Sequence, residues 1–295
     1  MFKTILRKIQ QNPFEKLLQK SALKKKKTFL LEWNRGLGDI PLGLYAIVHR
    51  IKKYVPDAKI TFLIRSDLEE GFSFLRDVQF LVVPSWKRHA QYNIYSALQE
   101  LHINPDNYDV IIEKPDPTYW VRWQIGALTP RLKWEQKYDM LWKKFNLPSS
   151  DLIAVQPAIE SKYNLWRGYP PHKWQSLFNA INSPIVLLGQ ENTNSFSGNH
   201  LIDLRGKTNL CELLSILKNA CTKAVLPDSG VLSFMYYLDV EFPIKVVSLW
   251  ADIAQGIMKQ NVASPNKGLK HVPLLGQDKN VNNIDVSTIC FHLKE

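Results

Sequence analysis

The stretch from Phe29 to Gly43, FLLEWNRGLGDIPLG, constrains the fold more than any other part of the chain. It begins with a strand-length apolar run, Phe29-Leu30-Leu31, with Trp33 just after it. Arg35, Gly36, Leu37, Gly38 and Asp39 then break the run. Leu42, Leu44, Ala46, Ile47 and Val48 follow at helical spacing until His49-Arg50. The pattern predicts a buried parallel strand, a glycine turn, and a helix whose first turn lies near Ile40-Pro41. Proline is favoured there because the first helical N–H has no partner in any case. In an open α/β sheet such a turn lies at the carboxyl end of a strand, where ligands bind. Gly36 and Gly38 would let the backbone pass close to a ligand, and Asp39 would stand at the rim of the cleft. Asp is also a preferred N-cap. The pattern alone therefore leaves two roles open for Asp39, cleft residue or helix cap.

The same alternation recurs down the chain. Strands are expected at Lys59 to Ile64, Phe80 to Val83 and Asp109 to Ile112, with helical patterns at Leu42 to Tyr54, Phe72 to Leu75 and Ile94 to Leu101 between them. After Pro148-Ser149-Ser150, which reads as a linker, a second series begins. Its strands are Leu152 to Val155, Ile185 to Leu188, Leu201 to Leu204, Lys223 to Leu226 and, last, Lys245 to Trp250. Helices are expected from Pro170-Pro171, over Leu210 to Ala220 and over Val231 to Leu238. Strands separated by helices imply parallel βαβ units. The expected organisation is an N-terminal segment at 1–27, a first Rossmann-like domain at 28–150 and a second at 151–295, the two doubly wound domains facing a cleft. Between Trp120 and Trp142 four tryptophans are interleaved with Arg122, Arg131 and Lys133. That stretch reads either as packing or as an aromatic, basic acceptor surface.

The formal charge of +11 points to an anionic partner: nucleic acid, acidic lipid or a phosphorylated substrate. Part of it lies at the start. Phe2, Ile5, Leu6 and Ile9 recur at helical spacing among Lys3, Arg7 and Lys8. Phe14, Leu17 and Leu18 follow Pro13, and Lys24 to Lys27 close the segment. This reads as a basic amphipathic segment suited to an anionic membrane surface. The competing reading is an ordinary helix packed on the domain with a solvated lysine face. No module for nucleic acid accompanies the charge. No apolar run reaches the ~18–20 residues of a membrane span, and the first residues lack the continuous apolar region of a signal peptide. Cys211, Cys221 and Cys290 fit neither a metal motif nor a disulfide framework. The expected location is the cytoplasm, peripheral to the inner face of the membrane.

Several motifs in this order resemble the heptosyltransferase family, glycosyltransferase family 9, whose members add ADP-heptose to the lipopolysaccharide inner core. Leu204-Arg205-Gly206-Lys207-Thr208 and Glu212-Leu213 follow its L-x-G-x-T-x-L-x-E-L pattern, and Asp228-Ser229-Gly230 its D-S-G before a helix. Gly38-Asp39 is similar to its G-D turn, and Pro56-Asp57-Ala58 to its P-x-A. Trp166-Arg167-Gly168-Tyr169-Pro170 resembles its K-x-W-P, with Arg167 at the lysine position. The matches run from Phe29 to about Trp250. Two positions depart from the pattern: the family histidine after D-S-G is Ser233, and Ala158-Ile159 stand where the family has a small residue and hydroxyls, which moves a phosphate contact to Ser161 or removes it.

The resemblance implies a GT-B type fold and inverting, metal-independent sugar transfer to a lipid-linked glycan acceptor. It implies a nucleotide sugar similar to ADP-heptose as donor substrate and no resident cofactor. Asp39 is then the candidate base for the acceptor hydroxyl. Arg167 would grip the diphosphate, as a guanidinium does well. The helix opening after Asp228-Ser229-Gly230 would offer amide groups to the same phosphates. Asp228 would accept from sugar hydroxyls and Glu191 from ribose hydroxyls, with Ser229, Gly230, Ser233 and Ser161 lining the donor and Lys162 and Lys207 as further basic candidates. Two other classes remain: a non-catalytic relative that binds nucleotide sugar or lipid, and an α/β protein that binds nucleic acid.

Overall fold

The computed structural model describes residues 12–88, 90–148, 151–158, 167–190 and 194–294. In chain order the helices are α1 (Pro13–Leu23), α2 (Tyr45–Tyr54), α3 (Glu69–Ser73), α4 (Ile94–Glu100), α5 (Pro117–Trp120), α6 (Pro171–Ala180), α7 (Leu210–Asn219), α8 (Gly230–Tyr237), α9 (Gly256–Gln260) and α10 (Val286–Lys294). The strands are β1 (Thr28–Trp33), β2 (Lys59–Ile64), β3 (Val78–Val82), β4 (Val110–Ile112), β5 (Leu152–Val155), β6 (Ile185–Leu187), β7 (Leu201–Asp203), β8 (Cys221–Pro227), β9 (Lys245–Trp250) and β10 (Lys270–Leu275). Among the described residues no helix is long and apolar enough to cross a membrane.

The chain divides into two compact units, Met1–Pro130 and Arg131–Glu295. In the first, four parallel strands lie in the order β3-β2-β1-β4. β1 and β2 pair in register from Thr28 opposite Lys59 to Trp33 opposite Ile64. Both faces of a parallel sheet are covered, so its central strands read as continuous apolar runs. Phe29, Leu30 and Leu31 are fully buried. On one face Leu30 and Leu63 pack with Ile94, Ala97 and Leu98 of α4.

α1 belongs to this unit. Asn12 caps it, its side chain accepting from the Phe14 N–H. Phe14 stacks on Trp120 with ring centres 4.7 Å apart, and Asn12 Nδ2 donates to the Trp120 carbonyl. Phe14 and Leu18 are 1% and 0% exposed. The apolar face of residues 12–23 is therefore core, and the described part of the N-terminal segment is an ordinary helix packed on the domain. The expected periodicity of Phe2, Ile5, Leu6 and Ile9 lies outside the described residues.

The second unit holds six parallel strands in the order β10-β9-β8-β5-β6-β7. Val155, Leu187, Val225 and Val247 from four of them join Trp174, Leu177 and Phe178 of α6 in one core. β10 was not expected. Its sequence, KHVPLL, is broken by Pro273, which fits because β10 is an edge strand, where a missing donor is tolerated.

The stretch from 131 to 145 packs in this second unit. Leu132 bridges to Leu238, Arg131 pairs with Asp239, and Lys218 donates to Asp139. The Trp142 N–H donates to Ser215 Oγ. Most of the tryptophan-rich stretch is thus packing: Trp120 lies on α1, and Trp134 makes an edge contact with Tyr138.

Candidate functional site

Both sheets turn direction once, and those points locate the candidate sites. In the first, the chain runs β1 to β2 to β3 and returns to the other side of β1 as β4. In the second it runs β5 to β6 to β7 and returns to the other side of β5 as β8. Where the order reverses, the loops after the two neighbouring strands splay apart, and ligands bind in that crevice at the carboxyl ends. For the first unit the loops begin at Asn34 and Glu113; for the second, at Gln156 and Asp228.

In the first unit Asp39 ends the turn after β1, and its N–H donates to the Gly36 carbonyl at 3.1 Å. The next turn, Ile40–Leu44, is a π-helix that leads into α2, and the Asp39 side chain makes no capping hydrogen bond to it. Of the two roles open in the sequence, the cap is not the one adopted. Single π turns inside helices are frequent at functional sites.

Neither Gly36 nor Gly38 takes a left-handed conformation. A Cβ on Gly36 would meet nothing nearer than Asp39 Oδ2 at 3.9 Å. The glycine the turn requires is Gly43, whose Cβ would lie 2.3 Å from the Trp123 ring and 2.9 Å from Pro117. Trp123 is held there by an unusual backbone, since Arg122, Trp123 and Gln124 are all left-handed, with φ of 46°, 55° and 48°.

Other polar groups at this edge were not singled out in the sequence. Arg35 stands 3.7 Å from Asp116, joining the loops after β1 and β4. Arg65, after β2, donates to Asn34 Oδ1 at 2.8 Å and grips Asp67 through Nε and Nη2. Glu32 is buried in β1, accepts from the Lys114 N–H, and has its carboxyl pushed up by burial.

In the second unit the two loops touch: Ser229 Oγ donates to Gln156 Oε1 at 2.9 Å. Ser229 is the N-cap of α8 and accepts from the Leu232 N–H. This cap does not take the first-turn N–H groups of Gly230 and Val231. With Ser229 as the cap, Asp228 is released from that duty. It is 8% exposed and pairs with Arg167, whose Nη2 donates to Asp228 Oδ2 at 2.8 Å and to its carbonyl at 2.7 Å. Burial pushes the Asp228 carboxyl up, and the Arg167 guanidinium opposes that shift. Among the described residues Arg167 Nε is buried without a hydrogen-bond partner. The structure thus joins Arg167, Asp228, Ser229 and Gly230 in one site. Ser233 lies one turn further along α8, is buried, and gives its hydroxyl to the Ser229 carbonyl at 3.1 Å. Lys207 follows β7, two strands from β5, and donates to the Asp203 carbonyl. Glu191, Ser161 and Lys162 lie outside the described residues.

A third loop, after β9, backs this site. Gly256 is left-handed at φ 47°, and a Cβ there would lie 2.5 Å from Asp228 Oδ1 and 3.0 Å from the Trp250 ring. Trp250 Nε1 donates to Ser248 Oγ at 2.6 Å, and Ser248 Oγ also lies 2.6 Å from His271 Nε2. The serine accepts from the indole and shares a hydrogen bond with the imidazole. Burial pushes the His271 pKa down to about 4. The strand-end rule that singled out Asp39 would have found this loop.

No protein-family model matches the sequence, nor does any curated protein. Solved structures do match it. The glycosyl transferase family 9 protein from Veillonella parvula is 12% identical, over 91% of this chain and 96% of its own, with a TM-score of 0.58. The E. coli ADP-heptose lipopolysaccharide heptosyltransferase II is 13% identical over 91% and 97%, with a TM-score of 0.59. The E. coli heptosyltransferase WaaC, solved with ADP-2-deoxy-2-fluoro heptose, is 12% identical over 90% and 99%, with a TM-score of 0.54. The chain has the fold of these glycosyltransferases. The fold likeness covers nine-tenths of the chain.

Proposed function

We propose that this chain is an inverting glycosyltransferase that moves a heptose-like sugar from a nucleotide sugar to a lipid-linked glycan acceptor, such as a lipopolysaccharide core. Asp39 takes the proton of the acceptor hydroxyl as its oxygen bonds to the anomeric carbon. The bond to the diphosphate breaks in the same displacement, and the nucleoside diphosphate leaves with the electron pair. Arg167 and the amides at the start of α8 receive that charge, so positive groups of the protein serve where other enzymes use a metal ion. Asp228 holds Arg167 through Oδ2 and leaves Oδ1 for a sugar hydroxyl. ADP-heptose is the first donor to try, because one of the similar structures is an ADP-heptose heptosyltransferase and another was solved with ADP-2-deoxy-2-fluoro heptose.

The observation that carries this reading is the Arg167–Asp228 pair at the opening of α8, with a buried guanidinium N–H that has no partner among the described residues. A buried donor without a partner is costly, and a phosphate oxygen is the acceptor that suits it. Thermal unfolding with a panel of nucleotide sugars tests the reading, because a ligand bound only by the folded state must stabilise it. At least one nucleoside diphosphate sugar should raise the unfolding temperature more than its nucleoside does. If none stabilises the protein, the donor site is wrong. A second reading, a relative that binds the donor without turning it over, is favoured by Ser233, whose hydroxyl points back into α8. Stabilisation without release of nucleoside diphosphate would select it.

A further inference from the structure

Residues 1–27 contain nine lysines and arginines and one acid, Glu15, so this short segment carries +8 of the formal +11. The structure sorts the described members of that set. Glu15 pairs with Arg50 of α2 and, with the Phe14–Trp120 stack, fixes how α1 is turned. Phe14, Leu18 and Ser21 face inward, while Lys16, Lys20 and Lys24 recur every fourth residue on the exposed side. Beside them Leu23 is 86% exposed. The four-lysine run divides. Lys26 Nζ donates to the Asp109 carbonyl, and Lys27 pairs with Asp57. Lys24 and Lys25 stay outside and have no acidic partner among the described residues.

Lys25 also occupies a position that suits glycine. The Lys26 N–H donates to the Ser21 carbonyl at 2.9 Å and the Lys25 N–H to the Ala22 carbonyl at 3.1 Å. That is the Schellman ending of a helix, whose left-handed residue is usually glycine. Here it is Lys25, at φ 52°. A left-handed backbone is strained for a residue that carries a Cβ. A lysine at this turn, beside an exposed leucine and three aligned lysines, suits a flat surface that is both anionic and apolar. The leucine argues for lipid over nucleic acid, which recruits stacking aromatics rather than aliphatic tips.

We infer that the outer face of α1 and its C-terminal turn, Lys16, Lys20, Leu23, Lys24 and Lys25, is a docking surface for an anionic lipid bilayer. The inward side of α1, Phe14 and Leu18, is buried in the core, so the lipid meets the opposite side of this helix. The inference stands apart from the catalytic reading, because binding to vesicles needs no turnover.

The test is co-sedimentation of the full chain with phosphatidylcholine vesicles, with and without phosphatidylglycerol, at low and high salt. Binding should require phosphatidylglycerol and weaken as salt screens the charges. Exchanging Lys16, Lys20, Lys24 and Lys25 for glutamine should weaken it by about tenfold or more. Lys25→Gly should raise the unfolding temperature yet weaken vesicle binding, a pair of effects that a merely structural lysine would not give. The inference is overturned if the parent ignores anionic vesicles, if Lys25→Gly binds like the parent, or if the parent prefers DNA to the vesicles at equal salt.

Discussion

Replacing Arg167 by alanine should cost stability in a way that depends on pH. Arg167 Nη2 makes two hydrogen bonds, to Asp228 Oδ2 and to the Asp228 carbonyl. Removing one partner of a fully buried pair costs roughly 3–5 kcal/mol, because the other charge is stranded. The Arg167 side chain is 23% exposed, so water relieves part of that, and about 2–3 kcal/mol is expected at neutral pH. Burial already holds the Asp228 carboxyl above its ordinary range, with Arg167 pulling the other way. Without Arg167 the folded-state value climbs further. A group whose folded pKa is raised binds its proton more tightly in the folded state. Its favourable contribution is full below the unfolded pKa and is lost as pH rises through the folded value. The variant should therefore lie close to the parent in acid, where a protonated Asp228 needs no cation, and fall furthest behind it at alkaline pH. Combining it with Asp228→Asn should recover much of the loss and flatten its pH dependence. Urea unfolding followed by tryptophan fluorescence, near the ordinary carboxylate pKa of about 4 and again at about pH 8, measures both. A loss equal at the two pH values, or one that Asp228→Asn leaves untouched, would refute the argument.

Gly43→Ala should destabilise by about 1–3 kcal/mol, the usual cost of overpacking. Adding Trp123→Ala should give part of it back, since the clash is with that ring; additive losses in urea unfolding would show that the two do not touch. Gly256→Ala should weaken nucleotide-sugar binding in calorimetry more than it lowers the unfolding temperature would suggest, because the new methyl lies against the Asp228 carboxylate. Unchanged affinity would remove that loop from the site. Phe14→Ala should cost roughly 3–5 kcal/mol, as for a buried phenylalanine. A loss near zero would mean that α1 is a detachable arm after all.

Strands β5 and β9 are found at their expected bounds, Leu152–Val155 and Lys245–Trp250. Parallel strands buried on both faces announce themselves as apolar runs whatever their neighbours do. β10 escaped because an edge strand exposes half its residues and can carry Pro273. The function of α1 was ambiguous for a different reason. A helix amphipathic enough to bind a membrane is also amphipathic enough to bind its own domain, and only the position of Trp120 decides. At the site, the turns holding Asp39 and Asp228 were legible because chain breaks after apolar runs mark strand ends. Their partners were not. The contact between Ser229 and Gln156 spans 73 residues, and the need for glycine at 256 arises from Asp228 and Trp250, which only folding brings beside it. Gly36 and Gly38 drew attention as glycines, yet Gly43 is the one that packing demands.

Sugar transfer itself is tested most directly by the release of nucleoside diphosphate from a nucleotide sugar, with and without a lipopolysaccharide-core acceptor, by the parent and by Asp39→Asn. Release should depend on the acceptor. It should fall by ~10² or more in the variant, the scale of losing a general base, while thermal stabilisation by the donor stays the same. Turnover within a few-fold of the parent would contradict the role given to Asp39, and donor-stabilised protein that releases nothing with any acceptor would contradict transfer.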